Sequence, residues 1–194
     1  MNLRCSVPAL TLLASCLGLT PLLGQGPAEA SGPSAADVVF MSGMIGHHAQ
    51  AVLMAGWAES HGASPTLQRY CRKVVVSQRD EIGLMKRWLA DHHEPLPDST
   101  LMYGRSMPGM GAMLMPGMLT AAALAQLDSA RGADWDHLFL EDMIRHHQGA
   151  ITMVQQLFNT PGGGKGVVFQ FATDISTDQT AEITRMRQML LTLP

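Results

Sequence analysis

The amino-acid sequence predicts an all-α fold, a four-helix bundle built from two repeated helical hairpins. Aromatic residues make up only 5% of the 194 residues, and runs of β-branched residues are few. Ala, Leu, Met and Gln, which favour helices over strands, dominate the middle and the end of the chain. A motif also occurs twice, which predicts two related halves. The length suits one domain with a single core.

The repeat comprises residues 40–54 and residues 139–153, and the second copy begins 99 positions after the first. Both copies contain Met-x-x-His-His, with a second Met six residues after the second His. Residues 78–89 and 179–190 also share Gln, Glu, Ile, Met and Leu at matching positions, at an offset of 101. Each half is therefore predicted to be a pair of helices, and a short connecting loop makes each pair an antiparallel hairpin.

In the first half, residues that start and stop helices bound both predicted elements. Ser34 and Asp37 can form a capping box before the first helix, and Gly62 lies just beyond its last turn. Ser64-Pro65 begins the second helix, which runs to about His93 because two prolines follow it. The first half-repeat therefore covers about residues 35–93.

The second half begins after a linking segment, residues 94–118, and a short predicted helix over residues 120–131. A long helix covers about residues 133–158, and Pro161-Gly162-Gly163-Gly164 makes the turn into the last helix. The second half-repeat therefore covers about residues 133–192.

The first thirty residues are predicted to be a signal peptide, which leaves residues 31–194 as one four-helix-bundle domain. Arg4 precedes an apolar stretch, and Ala28-Glu29-Ala30 supplies small residues typical of a cleavage site. Leu13-Ala14-Ser15-Cys16 resembles a lipoprotein box, so that lipidation at Cys16 is an alternative. Either reading predicts export to the periplasm or cell envelope, with no transmembrane segment in the mature chain. Removal of residues 1–30 leaves Cys71 alone and excludes an intramolecular disulfide.

The composition argues against nucleic acid as a partner. The formal net charge is −3, and acidic and basic residues are mixed along the chain instead of forming a basic stripe.

The repeated motif predicts a site for a soft metal ion. At about 100° per residue, Met44, His47 and Met54 share one helix face. Thioether and imidazole together suit Cu(I), with Ag(I) as a mimic, better than the ions that prefer carboxylates. The spacing also predicts that one His of each pair faces the interior and the other the edge of the bundle, without indicating which. Glu81 and Glu182 could hydrogen-bond a ligating imidazole, or they could be solvated surface charges.

The linking segment is rich in methionine and holds two copies of Met-Pro-Gly-Met, whose Pro and Gly prevent a regular helix. Its thioethers could capture Cu(I) and pass it to the helices. The complete set of candidate metal ligands is Met44, His47, His48, Met54, Met143, His146, His147, Met153, Met85, Met186, Met107, Met110, Met113, Met115 and Met118. Any single buried Met could instead be core packing, as Met85 and Met186 illustrate.

The two motifs and the Gln-x-x-Glu-Ile-x-x-Met segments resemble the domain of unknown function 305 family, over about Asp37 to Leu193. The resemblance implies a ferritin-like four-helix bundle, export and, as in the CopM-type members, copper binding and copper resistance. It also implies that the Met and His residues of both motifs are ligands. Gly43 and Gly46 stand at positions where good helix formers would be expected, and they are predicted to weaken the first helix. Arg145 departs by placing a cation beside the second motif.

The leading functional hypothesis is an exported protein that binds copper, with Cu(I) favoured over Cu(II), and that buffers or carries the metal without catalysis. Its expected partners are metal ions and another copper-transfer protein; the sequence gives no indication of the oligomeric state. One alternative is a ferritin-like metal oxidase, although Glu-x-x-His pairs are absent from the sequence. Another is an envelope structural or interaction module that binds no metal.

Overall fold

A computed structural model of the chain describes residues 32–97 and 114–193. Within these ranges the chain forms five helices and no strand, which confirms the all-α prediction. The helices are α1 (Ala35–Gly56), α2 (Pro65–Asp91), α3 (Ala121–Ser129), α4 (Gly132–Asn159) and α5 (Gly166–Leu190). The predicted signal peptide and the loop residues Met107, Met110 and Met113 lie outside the described residues.

The four long helices pack as two hairpins. Helix α1 lies along α2, helix α4 lies along α5, and the hairpins meet mainly through α1 and α4. The short helix α3 packs against α4. On α2, the buried residues Leu67, Val74, Met85 and Leu89 recur at helical spacing, so that one apolar stripe faces the rest of the domain. The ferritin-like character of the bundle stays a prediction.

Two buried aspartates tie each hairpin to a loop of the other. The capping box of α1 is present, since Ser34 Oγ accepts a hydrogen bond from the Asp37 amide and the Asp37 carboxylate accepts one from the Ser34 amide. The other oxygen of Asp37 accepts a hydrogen bond of 2.7 Å from the Gly164 amide, before α5. Asp136 on α4 accepts two from the Ser64 amide, at 3.1 and 3.2 Å, before α2. The two carboxylates occupy equivalent positions of the repeat.

Helix α1 ends at Gly56, six residues before the glycine that was expected to follow its last turn. Residues 57–62 form turns instead. The His61 ring explains the early end, because Nδ1 lies 3.0 Å from the Trp57 carbonyl and Nε2 lies 2.9 Å from the Asp128 carbonyl at the end of α3. These contacts hold the turn against α3, and Gly62 supplies the positive φ of 71° that closes it.

The core contains two apolar clusters that correspond to one another under the repeat. The Met54 cluster includes Ala51, Met54, Phe139, Leu140, Met143 and Met186. The Met44 cluster includes Phe40, Met41, Met44, Met85, Ala150 and Met153. Each cluster joins one end of α1 to the opposite end of α4, so that the two helices pack antiparallel. The midpoint between the clusters therefore falls where the two His-His pairs lie.

One helix, α1, is long and apolar enough to span a membrane by length and composition alone. However, 78% of its most apolar window is buried inside the domain, against the other helices. Such burial is typical of a helix in the core of a domain.

Candidate metal centre

His47 and His146 form the centre of the candidate site. They occupy equivalent positions of the repeat, on α1 and α4, and their side chains are 0% and 1% exposed. Their ring centroids lie 3.8 Å apart, with the ring planes inclined by 40°. The first His of each motif is therefore the inner one, a choice that the helical spacing left open.

Both inner imidazoles are held in the neutral form that metal ligation requires. Burial lowers the pKa of His47 to about 3, and the neighbouring His48 adds to the effect because two imidazolium charges would repel each other. Burial also lowers the pKa of His146 well below its usual value, again with contributions from the surrounding histidines. At neutral pH both rings therefore keep a lone pair available for a metal ion.

The buried ring nitrogens are largely without partners. His47 donates its Nε2–H to the carbonyl of Pro116 at 2.9 Å, which leaves the lone pair on Nδ1. His47 Nδ1 and both ring nitrogens of His146 are buried without a well-aligned hydrogen-bond partner. Buried polar atoms are usually satisfied, so that several orphaned nitrogens at one point indicate a place for a bound group.

The second His of each motif faces the partner helix of its own hairpin. His48 Nε2 lies 2.6 Å from Glu81 Oε2 on α2, and His147 Nε2 donates to Glu182 Oε2 on α5, also at 2.6 Å. The His48 contact is equally short, but it lacks the alignment of a good hydrogen bond. The expectation that these histidines lie at the edge of the bundle is wrong, because α2 and α5 cover them and their exposure is 0%.

Glu81 and Glu182 are therefore not the solvated surface charges of the alternative interpretation. Their side chains are only 17% and 23% exposed, and each contacts one imidazole. A carboxylate in this position fixes the orientation and tautomer of the ring.

The six helical methionines of the predicted ligand set are all buried. Met44, Met54, Met85, Met143 and Met186 are fully buried, and Met153 is 8% exposed. Met54, Met143 and Met186 lie in one apolar cluster, and Met44, Met85 and Met153 lie in the other. Each cluster thus combines thioethers from both hairpins, on either side of the inner histidines. Metal binding by these residues stays a prediction.

The end of the linking segment, residues 115–119, crosses the site and is here named the strap. Its Pro116 carbonyl accepts the hydrogen bond from His47, and both amide atoms of the Gln50 side chain bond the backbone of Leu119, at 2.7 and 3.1 Å. Gly117, with a φ of 76°, passes directly over Gly149 of α4. A Cβ on Gly149 would overlap the Pro116 carbonyl, so that only glycine permits this crossing.

Two of the predicted loop ligands are described, and both belong to the strap. Met115 is half-buried, and its Sδ lies 3.3 Å from the point where a Cβ on Gly43 would stand. Met118 is 8% exposed. Gly43, expected only to weaken α1, in fact provides room for Met115 and for the methyl group of Met153.

Two other polar side chains, those of Arg145 and Cys71, neither repel nor bind a cation at the site. Arg145 is 62% exposed at its side chain and pairs with Asp142 at 2.7 Å, so that its charge faces solvent. Cys71 is 1% exposed, and burial raises the pKa of its thiol, which keeps it protonated. In the described ranges, His, Cys, Asp and Glu form no group of three or more that could hold a metal ion.

Sequence reasoning missed Gln50, Gly149 and the cross-ties made by Asp37 and Asp136, although it identified Asp37 as part of the capping box. Asp37 and Asp136 differ by the same 99 positions as the motif, so that extending the repeat by three residues would have found them. Gln50 and Gly149 also occupy equivalent positions, but they differ in type, and a search for identical residues passes over them.

The comparisons with known proteins agree with this architecture. The family described as Domain of unknown function (DUF305) matches residues 37–190. A DUF305 protein from Streptomyces coelicolor, inferred to be secreted, is 28% identical, with 80% of this chain and 92% of that chain covered and a TM-score of 0.68. A DUF305 fragment from Deinococcus radiodurans is 26% identical, with 82% and 97% covered and a TM-score of 0.69.

CopM in its Cu(II)-bound form is 29% identical, with 80% of this chain and 95% of that chain covered and a TM-score of 0.61. CopM in its Cu(I)-bound form is 28% identical, with 79% and 94% covered and a TM-score of 0.59. The comparison with curated proteins gives no match. Since the family match spans most of the chain, from α1 to the end of α5, this chain belongs to the DUF305 family.

Proposed function

We propose that this chain is an exported copper-binding protein that buffers or carries copper, with Cu(I) preferred, and that it has no catalytic turnover. The observation that carries the proposal is the pair of neutral, buried imidazoles of His47 and His146, whose ring centroids lie 3.8 Å apart between the two hairpins and whose nitrogens other than His47 Nε2 lack a well-aligned partner. Similarity to CopM, which has been seen with Cu(II), Cu(I) and silver bound, supports the same metal for this chain.

The donor set accounts for the preference for Cu(I). The inner histidines lie between two clusters, each with three methionines of the predicted ligand set, and thioether and imidazole are both soft or borderline ligands. Carboxylates do not converge on the inner pair, since Glu81 and Glu182 contact the outer histidines. A buried site of neutral ligands also favours the lower charge of Cu(I), because a dry interior penalises ions more strongly as their charge rises.

The outer histidines would support the site from the flanks. Each is held by a carboxylate on α2 or α5, and each is adjacent in sequence to an inner histidine. We assign them as positioning groups, or as additional ligands if the helices shift when metal binds. In this proposal the bundle is ferritin-like in its four long helices but has replaced the carboxylate-rich centre with Met and His.

The proposal of export depends on the sequence of residues 1–30 and agrees with the description of the Streptomyces relative. In the periplasm or cell envelope the protein would receive Cu(I) and deliver it to a copper-transfer partner.

The first prediction concerns the inner histidines. Anaerobic competition titration of the mature protein with Cu(I), Ag(I), Cu(II) and Zn(II) should give the tightest binding for the first two ions. The double variant His47→Ala, His146→Ala should weaken Cu(I) binding by about 100-fold or more, two factors of ten at about 1.4 kcal/mol each. His137→Ala is the matched control, since His137 lies on α4 but is exposed, and it should bind as the wild type does. Unchanged affinity in the double variant would contradict the proposal.

A further inference from the structure

A groove opens between the first half of α1 and the second half of α4, beside the strap. Its volume is about 450 Å³. Phe40, Gly43, Met153 and Leu157 are buried along it, whereas Val39 and Gln156 are exposed at its rim. Met115 and Pro116 of the strap form one of its sides. The groove therefore extends from solvent to Pro116, the residue whose carbonyl contacts His47.

The floor of the groove is shaped by a glycine in the middle of a helix. Gly43 lies within α1, where glycine weakens a helix relative to alanine. A Cβ at this position would lie 3.3 Å from Met115 Sδ and 3.5 Å from Met153 Cε. The missing side chain thus allows two thioether side chains, one from the strap and one from α4, to converge over the same point.

The opposite end of the α1–α4 pair lacks this arrangement. The residue equivalent to Gly43 in the second half is Asp142, which is 3% exposed and paired with Arg145. Leu119 of the strap, 2% exposed, packs at that end in the cluster that holds Met54 and Met143. The two halves share the motif but differ in how solvent reaches their methionines. The groove makes thioethers accessible to solvent at one end of the α1–α4 pair.

The strap links this groove to the metal centre. Met115 is followed directly by Pro116, whose carbonyl accepts the hydrogen bond from His47. A metal ion held by Met115 and Met153 would therefore lie one residue along the strap from Pro116, which contacts His47.

We infer that this groove is the loading site for Cu(I), in which the thioethers of Met115 and Met153 capture the ion from solvent before it passes to His47. The inference rests on the proposed copper-binding function. Transfer would break copper–sulfur bonds and form a copper–nitrogen bond to the imidazole lone pair. The step only exchanges one electron-pair donor for another, so that it needs no oxidant, and copper remains Cu(I).

The test is a rate measurement on the full mature protein. Cu(I) is supplied as a coloured bicinchoninate complex without oxygen, and the loss of colour gives both the rate and the extent of transfer. Met115→Leu keeps the volume of the side chain but removes the sulfur, and Gly43→Leu fills the groove. Both variants should take up Cu(I) about tenfold more slowly.

Gly56→Ala is the matched control. It lies in the same helix and gains the same helix propensity, but a Cβ there meets nothing within 4 Å. Its uptake rate should equal that of the wild type. Thermal melting shows whether Gly43→Leu folds, and Met115→Leu carries the test if it does not. Equal rates in Met115→Leu and the wild type would overturn the loading site while leaving the copper function intact. A wild type that takes up no Cu(I) would overturn both.

A second readout locates the captured ion directly. In protein labelled with ¹³C at the methionine methyl groups, sub-stoichiometric Ag(I) should shift the Met115 and Met153 resonances. Shifts restricted to other methionines would contradict the assignment.

Discussion

At the scale of single residues, the inner histidines show how burial prepares a ligand. An exposed imidazole competes for protons near neutral pH, but His47 and His146 are removed from water and lie close to other imidazoles. The neutral ring is then the stable form over most of the acidic range. The same burial destabilises the folded state at any pH at which an imidazole in water would be charged.

The second prediction follows from that cost. Below about pH 6.5 the histidines of the unfolded chain become protonated, whereas the buried histidines of the folded chain stay neutral. The free energy of unfolding is therefore highest above this pH and decreases as the pH falls towards 3. His47 should lower the free energy of unfolding by about 3 kcal/mol between pH 7 and pH 4, and His146, whose pKa is also lowered by burial, should add to this loss. Denaturant melts of the metal-free protein at several pH values would measure this.

The comparison variant is His47→Gln, His146→Gln, in which the pH dependence below 6.5 should become shallower. His137→Gln removes an exposed histidine and should leave the slope unchanged. Equal slopes in the wild type and the double variant would show that the inner histidines titrate normally.

At the scale of helices and loops, the cross-ties hold the two hairpins in register. Asp37 on α1 bonds the loop before α5, and Asp136 on α4 bonds the N-cap of α2. Because each aspartate belongs to one hairpin and bonds the other, the pair fixes how α1 and α4 meet, and hence how the inner histidines meet.

The third prediction is that Asp136→Ala destabilises the domain by about 2 kcal/mol, because the half-buried Ser64 amide loses its hydrogen bonds to a buried carboxylate. Asp37→Ala should have a similar or larger effect, since it also removes the capping box. Asp174→Ala, an exposed change on α5, should lie within about 0.5 kcal/mol of the wild type. Chemical denaturation gives the values, and a loss below that of the control would contradict the role of the ties.

Element boundaries could largely be predicted from the sequence because they depend on local signals. The capping box, the proline that begins α2 and the glycine turn before α5 all act within a few residues. The end of α1 could not be predicted, because the contacts of His61 with Asp128 join residues that are far apart in the chain.

The sequence offered a set of candidate ligands, which stays a prediction, but it did not show how those residues are arranged. Helical spacing places His47 and His48 on different faces, but it does not show which helix covers each face. The contacts of the strap could not be predicted either. Gln50 and Gly149 acquire their roles only when residues 115–119 lie across both helices.

At the scale of the whole molecule, a metal bound between the hairpins would link them. The inner histidines come from different hairpins, and each apolar cluster includes methionines of both. An ion that binds only the folded arrangement stabilises it in proportion to its affinity and concentration.

The fourth prediction is therefore a thermal shift. Ag(I) at about 100 times its dissociation constant should add about 2.7 kcal/mol of stability. For a domain of this size that corresponds to a rise in the melting temperature of about 5–10 °C. Mg²⁺ should give no shift, and the His47→Ala, His146→Ala variant should lose most of the shift with Ag(I). Equal shifts in the wild type and the double variant would place the stabilising ion elsewhere.

The crossing of the strap over Gly149 limits how the two halves could have diverged. A duplicated gene starts with interchangeable copies, but Gln50 and Gly149 now perform different tasks at the same repeat position. A copy of the first half in place of the second would put a glutamine where the Pro116 carbonyl passes. A copy of the second half in place of the first would remove the side chain that anchors Leu119. An exchange between the two halves at this repeat position is therefore expected to remove one of the two contacts that seat the strap.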